Sequence, residues 1–117
     1  MFKYELHNKM INAAGKTVKP SMKSFSSAAA KADWSSEPGF GVILTGQPGD
    51  ETWPITAATF ILMYADPKDP ALSKLAISFF DWSFEKGNKI AEELDYIPMP
   101  ANVVDGIKNT AWTAIKH

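Results

Sequence analysis

The run Thr52–Tyr64, T-W-P-I-T-A-A-T-F-I-L-M-Y, constrains the fold more than any other stretch of this chain. Ile55, Phe60, Ile61, Leu62, Met63 and Tyr64 make its second half nearly continuous in apolar side chains. Glycines 46 and 49 precede it and Asp66-Pro67 follows it, so the pattern predicts a short strand buried on both faces. Pro54 fits only at the entrance, because proline has no N–H to give a ladder. A strand of this kind needs a neighbour on each edge, and the chain has hardly any other good strand. Such a mismatch predicts a piece of a larger α/β protein.

Elsewhere the sequence is mainly helical. Residues 2–9 have the spacing for one or two helical turns, with Phe2 and Leu6 four apart. Met10–Asn12 and Lys16–Val18 flank Ala13-Ala14-Gly15 and predict a short hairpin. Ser21 is a good N-cap for a helix over Met22–Ala32, with Met22, Phe25, Ala29 and Ala32 on its inner face. From Asp33 to Glu51 glycine and proline recur, which predicts a long loop with Val42-Ile43-Leu44 tucked against the core. Asp69 and Pro70 then mark a helix start. Leu72, Leu75, Ala76, Phe79, Phe80 and Phe84 give that helix a wide apolar face, directed at the strand, and Gly87 ends it. A short helix over Asn88–Leu94 turns Ile90, Ala91 and Leu94 inward, and Tyr96–Pro100 is a proline-stiffened connector. A last helix runs over about Ala101–Ile115, weakened by roughly 1 kcal/mol at Gly106.

The 117 residues are enough for one domain with a core of its own. Twelve basic and thirteen acidic residues leave a net charge of −1, which argues against a nucleic-acid partner. All the basic residues are lysines, so arginine, the preferred bidentate ligand of phosphate and carboxylate, is missing. There is no cysteine, hence no disulfide, thiolate metal site or cysteine nucleophile. The first ten residues are too polar for a signal peptide, and no apolar run approaches the ~18 residues of a membrane span. The chain as written is therefore expected to be soluble, with no membrane insertion and no export address.

Candidate chemistry is sparse. His7 and His117 lie near the chain ends without a ligand cluster, so no metal site is expected. Glu92, Glu93 and Asp95, following Lys89, read as the wet face of a helix rather than as an acid/base pair. The loop Thr45–Asp50, T-G-Q-P-G-D, lacks the phosphate-loop spacing and leads into a strand, which makes it a plain turn. Thr52, Thr56 and Thr59 are ordinary strand residues, and Trp34, Trp53, Trp82 and Trp112 lack the basic interleaving of a nucleic-acid platform. No nucleophile, base and orienting group come together. The expectation is no catalytic, cofactor-binding, metal or phosphate-binding residue in this chain, and no enzyme.

In order, the motifs resemble the C-terminal part of the periplasmic phosphate-binding protein of the bacterial phosphate ABC importer. The residues that carry the resemblance are Y-x-L-x-N-K-M (Tyr4–Met10), N-A-A-G-K-x-V-K-P-S (Asn12–Ser21) and A-A-A-K-A-D-W (Ala28–Trp34). They continue with W-P-I-T-x-A-T-F-I-L-M (Trp53–Met63), F-F-D-W-x-x-x-x-G (Phe79–Gly87) and L-D-Y-I-P-M-P (Leu94–Pro100). The resemblance implies an α/β chain forming a partial lobe of a type II periplasmic binding protein fold. One buried central strand and a short hairpin would be packed by three to five helices, with residues 1–117 as the single segment that completes lobe one. It implies that the phosphate ligands (serine and threonine hydroxyls, an aspartate, an arginine and backbone amides) lie in upstream segments that have no match here. The strand between Met10 and Asn12 is also shorter than in the family.

Two function classes follow. One is the C-terminal segment of an ABC-transporter substrate-binding protein, which takes inorganic phosphate only when the upstream part completes it. The resemblance then implies permease subunits as partners and a periplasmic location, whereas expression without a signal peptide implies the cytoplasm. The other is a truncated structural or interaction module that forms a homo-oligomer through its exposed strand edge and binds no ligand.

Overall fold

The computed structural model describes residues 9–117. The helical turns expected over 2–9 therefore lie, except for Lys9, outside the described residues. Among the described residues the chain is α/β, with four α-helices and one two-stranded antiparallel sheet. They form two compact bodies, Ile43–Ala57 with the chain up to Ala32, and Asp33–Val42 with Ala58–His117.

The first body starts with the expected hairpin. Strand β1 (Met10–Ile11) pairs with β2 (Thr17–Val18) in the register Met10 to Val18 and Ile11 to Thr17. Gly15 turns the chain at φ 71°, in the left-handed region where a Cβ is penalised. Helix α1 (Met22–Lys31) is capped as the sequence requires. The Ser21 hydroxyl accepts from the Ser24 N–H at 3.1 Å, and the Ser24 hydroxyl accepts from the Ser21 N–H at 3.0 Å. Its inner face is shifted from the expected one. Of the four residues expected inside, Ala29 and Ala32 are buried, Phe25 is half-buried and Met22 is exposed, while Ser24 and Ala28 are buried as well. Small residues win because the loop after it comes close, with the Trp53 N–H donating to the Ser24 carbonyl at 3.0 Å. Val18, Leu44 and Trp53 complete this core, and Phe25 meets Trp53 edge-on at 5.8 Å between ring centres. Burial of Leu44 and Trp53 contributes roughly 2–3 kcal/mol each. Of the Val42-Ile43-Leu44 stretch only Leu44 goes inside; Ile43 is 74% exposed.

The second body carries the long helix α2 (Pro70–Lys86), the short α3 (Asn88–Glu93) and α4 (Ala101–Gly106). Asp69 caps α2 as expected, its carboxylate accepting from the Leu72 N–H at 3.1 Å, with Pro70 in the first turn. Gly87 ends α2 in a right-handed conformation (φ −84°), its N–H donating to the Ser83 carbonyl, and α3 begins at the next residue. The expected final helix is present but changes pitch. After α4, Ile107–Ala111 winds with wider π-type bonding and Trp112–Ala114 with the tighter 3-10 pattern. Trp34, Ile77 and Val103 are buried here, Trp34 lies beside Phe40, and Phe84 tilts against Trp112 at 6.0 Å. No helix among the described residues is long and apolar enough to cross a membrane.

The main correction concerns the central strand. Thr52 and Trp53 are buried, but residues 56–64 form no strand, and Phe60, Ile61, Leu62 and Tyr64 are 47, 62, 93 and 83% exposed. The sole sheet among the described residues is the β1–β2 hairpin, so nothing offers this run a ladder. An apolar run states what a segment needs; it does not supply the neighbours. The same correction applies to α2, whose Leu72, Leu75 and Phe79 are exposed, and to Ile90 and Leu94 near α3, which are exposed rather than inward. With no sheet to lie on, the faces expected to cover it remain open.

Candidate functional site

The loop Thr45–Asp50 is organised by two buried polar side chains. Thr52, fully buried, donates its hydroxyl toward the carbonyls of Gln47 and Gly49, both at 2.9 Å. Asn12, 5% exposed, directs its amide nitrogen at the carbonyls of Gly49 (3.0 Å), Asp50 (2.9 Å) and Thr52 (3.3 Å). Its amide oxygen accepts from the N–H groups of Ala14 and Lys16 at 3.0 Å. One asparagine thus satisfies both the hairpin turn and the loop, and the groups that meet inside are carbonyl oxygens. An array of acceptors repels an anion. The Gly46 N–H is also engaged, donating to the Pro54 carbonyl at 3.0 Å. The sequence gives no warning of this role for Asn12, because its partners lie 37 to 40 residues away.

In the second body, residues 63–69 and the first turns of α2 enclose a cleft of about 620 Å³. Met63, Tyr64, Leu72 and Ala76 give it a mostly apolar wall, with Asp66, Lys68 and Asp69 along it. Its carboxylates are already used: Asp69 caps α2, and Asp66 pairs with the Lys116 ammonium at 2.9 Å. The Lys116 N–H also donates to the Ala65 carbonyl at 2.9 Å, which fixes the end of the open run.

The singled-out residues fall in scattered places. His7 lies outside the described residues. His117 is exposed, with Nδ1 2.7 Å from the Ile115 carbonyl oxygen. Glu92, Glu93 and Asp95 are exposed, and Glu93 lies 3.9 Å from Lys89 across one helical turn. Among the described residues no three potential ligands converge to hold a metal ion. Thr56 donates to the Trp53 carbonyl at 3.2 Å, and Thr59 is exposed. Trp34 and Trp53 are buried, Trp112 is half-buried, and Trp82 is 52% exposed. Among the described residues, the Ser35 hydroxyl donates to the Asp33 carboxylate at 2.6 Å. This is a local turn in which the Ser35 N–H also donates to Asp33, and these bonds hold the Asp33 carboxyl below the usual carboxylate range. The Asp81 carboxylate bonds the Lys108 ammonium and, with Glu85 at 3.9 Å, holds it above the usual lysine range against some desolvation. That ion cluster ties α2 to the turns after α4.

What stands out is the open apolar face. Leu72, Leu75, Phe79 and Trp82 follow one another at spacings of three, four and three along α2, between 52 and 68% exposed. On the other side of the helix Ile77 is buried and Phe84 meets Trp112. Phe79 also stacks on Trp82 at 6.2 Å. α2 has apolar side chains on two sides, and only one of them is covered. The chemistry available to such a surface is association with another polypeptide.

No protein-family profile matches the chain. Individual relatives do. It is 47% identical over 105 residues to the phosphate-binding protein PstS of Pasteurella multocida, covering 90% of this chain and 30% of the relative. The phosphate-binding protein PstS of Haemophilus influenzae is 48% identical over 106 residues, 91% of this chain and 32% of the relative. That of Xylella fastidiosa is 48% identical over 110 residues, again 90% of the chain and 30% of the relative. The chain therefore spans about a third of the length of the relatives it matches. At this identity over nine tenths of its length, the chain matches a C-terminal portion of the phosphate-binding protein PstS family.

Proposed function

We propose that this chain is the C-terminal segment of a phosphate-specific substrate-binding protein of an ABC importer, and that it acts only when the remainder of that protein completes it. The observation that carries this reading is the 47–48% identity to phosphate-binding proteins of which the chain spans 30–32%. The open faces support it physically. The run 58–64 wants strand neighbours and α2 wants cover, and both needs are met if these elements join a lobe of the type II periplasmic fold. In that lobe residues 1–117 supply structure, and the phosphate ligands come from the remainder. The permease subunits are then the protein partners, the periplasm is the working compartment, and the role is binding rather than catalysis.

The test is complementation. The remaining part of a matching phosphate-binding protein is co-expressed with this chain, and phosphate binding is measured by equilibrium dialysis. Binding is expected for the pair and for neither part alone. If the parts never associate, the completion reading is lost. Binding by this chain alone would sink the placement of the ligands elsewhere.

A further inference from the structure

We infer that the first body is a folding unit of its own, which stays closed when the second body opens. Among the described residues, nine of the twelve that are buried belong to the first body. The other three, Trp34, Ile77 and Val103, belong to the second, although it is the longer of the two. Regions with little buried apolar surface open at the lowest free energy. The buried polar residues of the described chain, Asn12, Ser24 and Thr52, lie in the first body and are hydrogen-bonded there. A buried polar network whose members are all satisfied rigidifies the elements it joins. Here those elements are far apart in sequence. Asn12 fastens the hairpin turn to the loop ahead of Trp53, and the Trp53 N–H fastens that loop to Ser24 on α1. Opening any one of them strands buried groups in the others, so the body opens as a whole.

The order of the chain permits the separation. The first body closes when the chain up to Ala32 meets Ile43–Ala57, with only Asp33–Val42 between them. Closure entropy grows slowly with loop length, so a stretch this short need not be ordered first. The second body is secured more lightly. On α2 the buried residue is Ile77. The Lys108, Asp81 and Glu85 side chains that tie α2 to the turns after α4 are 31 to 56% exposed. Ion pairs so open to water contribute little. For the completion reading this makes the first body the preformed part of the segment, and the second the part that sets on assembly.

Amide hydrogen exchange on the 117-residue chain in rising urea tests this, and it is read on the chain alone, so its outcome is separate from that of complementation. The N–H groups of Gly46 and Trp53, which donate to the Pro54 and Ser24 carbonyls, report the first body. The amides in the middle of α2 and the Lys116 N–H, which donates to Ala65, report the second. The second set should lose protection at lower urea than the first. One urea dependence shared by both sets overturns the inference, because the chain then opens as a single unit. Two variants give the same reading without denaturant. Val103→Ala should speed exchange in the second set by at least ~10-fold and leave Gly46 and Trp53 within about twofold. Equal quickening of both sets overturns the inference. If that variant unfolds the second body outright, Gly46 and Trp53 should remain protected, and loss of their protection is equally fatal. Asn12→Ala should speed Gly46 and Trp53 by at least ~10-fold. Unchanged exchange at those two amides would show that the Asn12 network does not close the first body, and the inference fails.

Discussion

Asn12 shows how much one residue can hold in a small body. Its amide spends both ends on backbone groups, two in the hairpin and three in the loop, and the side chain is shut off from water. Removing it orphans buried groups, each costing about 1–3 kcal/mol. Asn12→Ala should therefore lower stability by roughly 3 kcal/mol, read as a shift in the urea midpoint. A loss below ~0.5 kcal/mol, the size of an ordinary surface change, would mean the network is not formed. Asp33 and Lys108 set the pH behaviour at the same scale. The Ser35 bonds depress Asp33, so its contribution is full above the ordinary carboxylate value and disappears as pH falls through the lowered one. The Asp81 bond raises Lys108, so its contribution is full below the ordinary lysine value and disappears as pH rises through the raised one. Asp33 is exposed and Lys108 is in part open to water, so the effects are small. Asp33→Asn should lower the melting temperature slightly at neutral pH and flatten its fall below pH ~4, so that the two chains converge in acid. An unchanged acid limb would show that the Asp33 turn persists equally in the unfolded chain.

Among the elements, α2 is where propensity and structure disagree. By helix propensity alone, Gly87→Ala should stabilise by about 1 kcal/mol. The fold reverses the sign. A Cβ at Gly87 would lie 2.5 Å from the Ser83 carbonyl oxygen, a backbone atom with no room to give. The substitution should instead cost roughly 1–3 kcal/mol and loosen the joint between α2 and α3. A higher urea midpoint for Gly87→Ala would show that the joint opens readily. The same helix explains what a pattern can and cannot convey. Its start at Asp69-Pro70 and its end at Gly87 were legible because caps are local. The side that faces inward was not, since Leu72 and Phe79 look as apolar as Ile77, and only the packing separates them.

For the whole molecule, the imbalance is between apolar content and available cover. The chain is 45% hydrophobic, an ordinary value for a globular protein, yet its longest apolar run and one side of its longest helix face water. Surface of that extent lowers stability through lost burial and raises the drive to associate. Completion by the rest of a phosphate-binding protein, as proposed above, would relieve that imbalance. The missing strand neighbours could be anticipated from Thr52–Tyr64 because a buried strand has two edges and the chain has few other strands.

Local chemistry, then, was determined by the sequence itself: the hairpin at Ala13-Ala14-Gly15, the Ser21 and Asp69 caps, the proline connector at 96–100, and motifs specific enough to mark a portion of a phosphate-binding protein. Each of these depends on residues within a few positions of one another, so the chain carries the information in its spacing. Tertiary structure alone decided that Asn12 and Thr52 would consume the loop carbonyls, that Ala28 rather than Met22 would line the first core, and that residues 58–64 would lie open. Those outcomes depend on which surfaces meet across long separations. A hydrophobic pattern fixes the demand for burial, and only the assembled neighbours determine whether that demand is met.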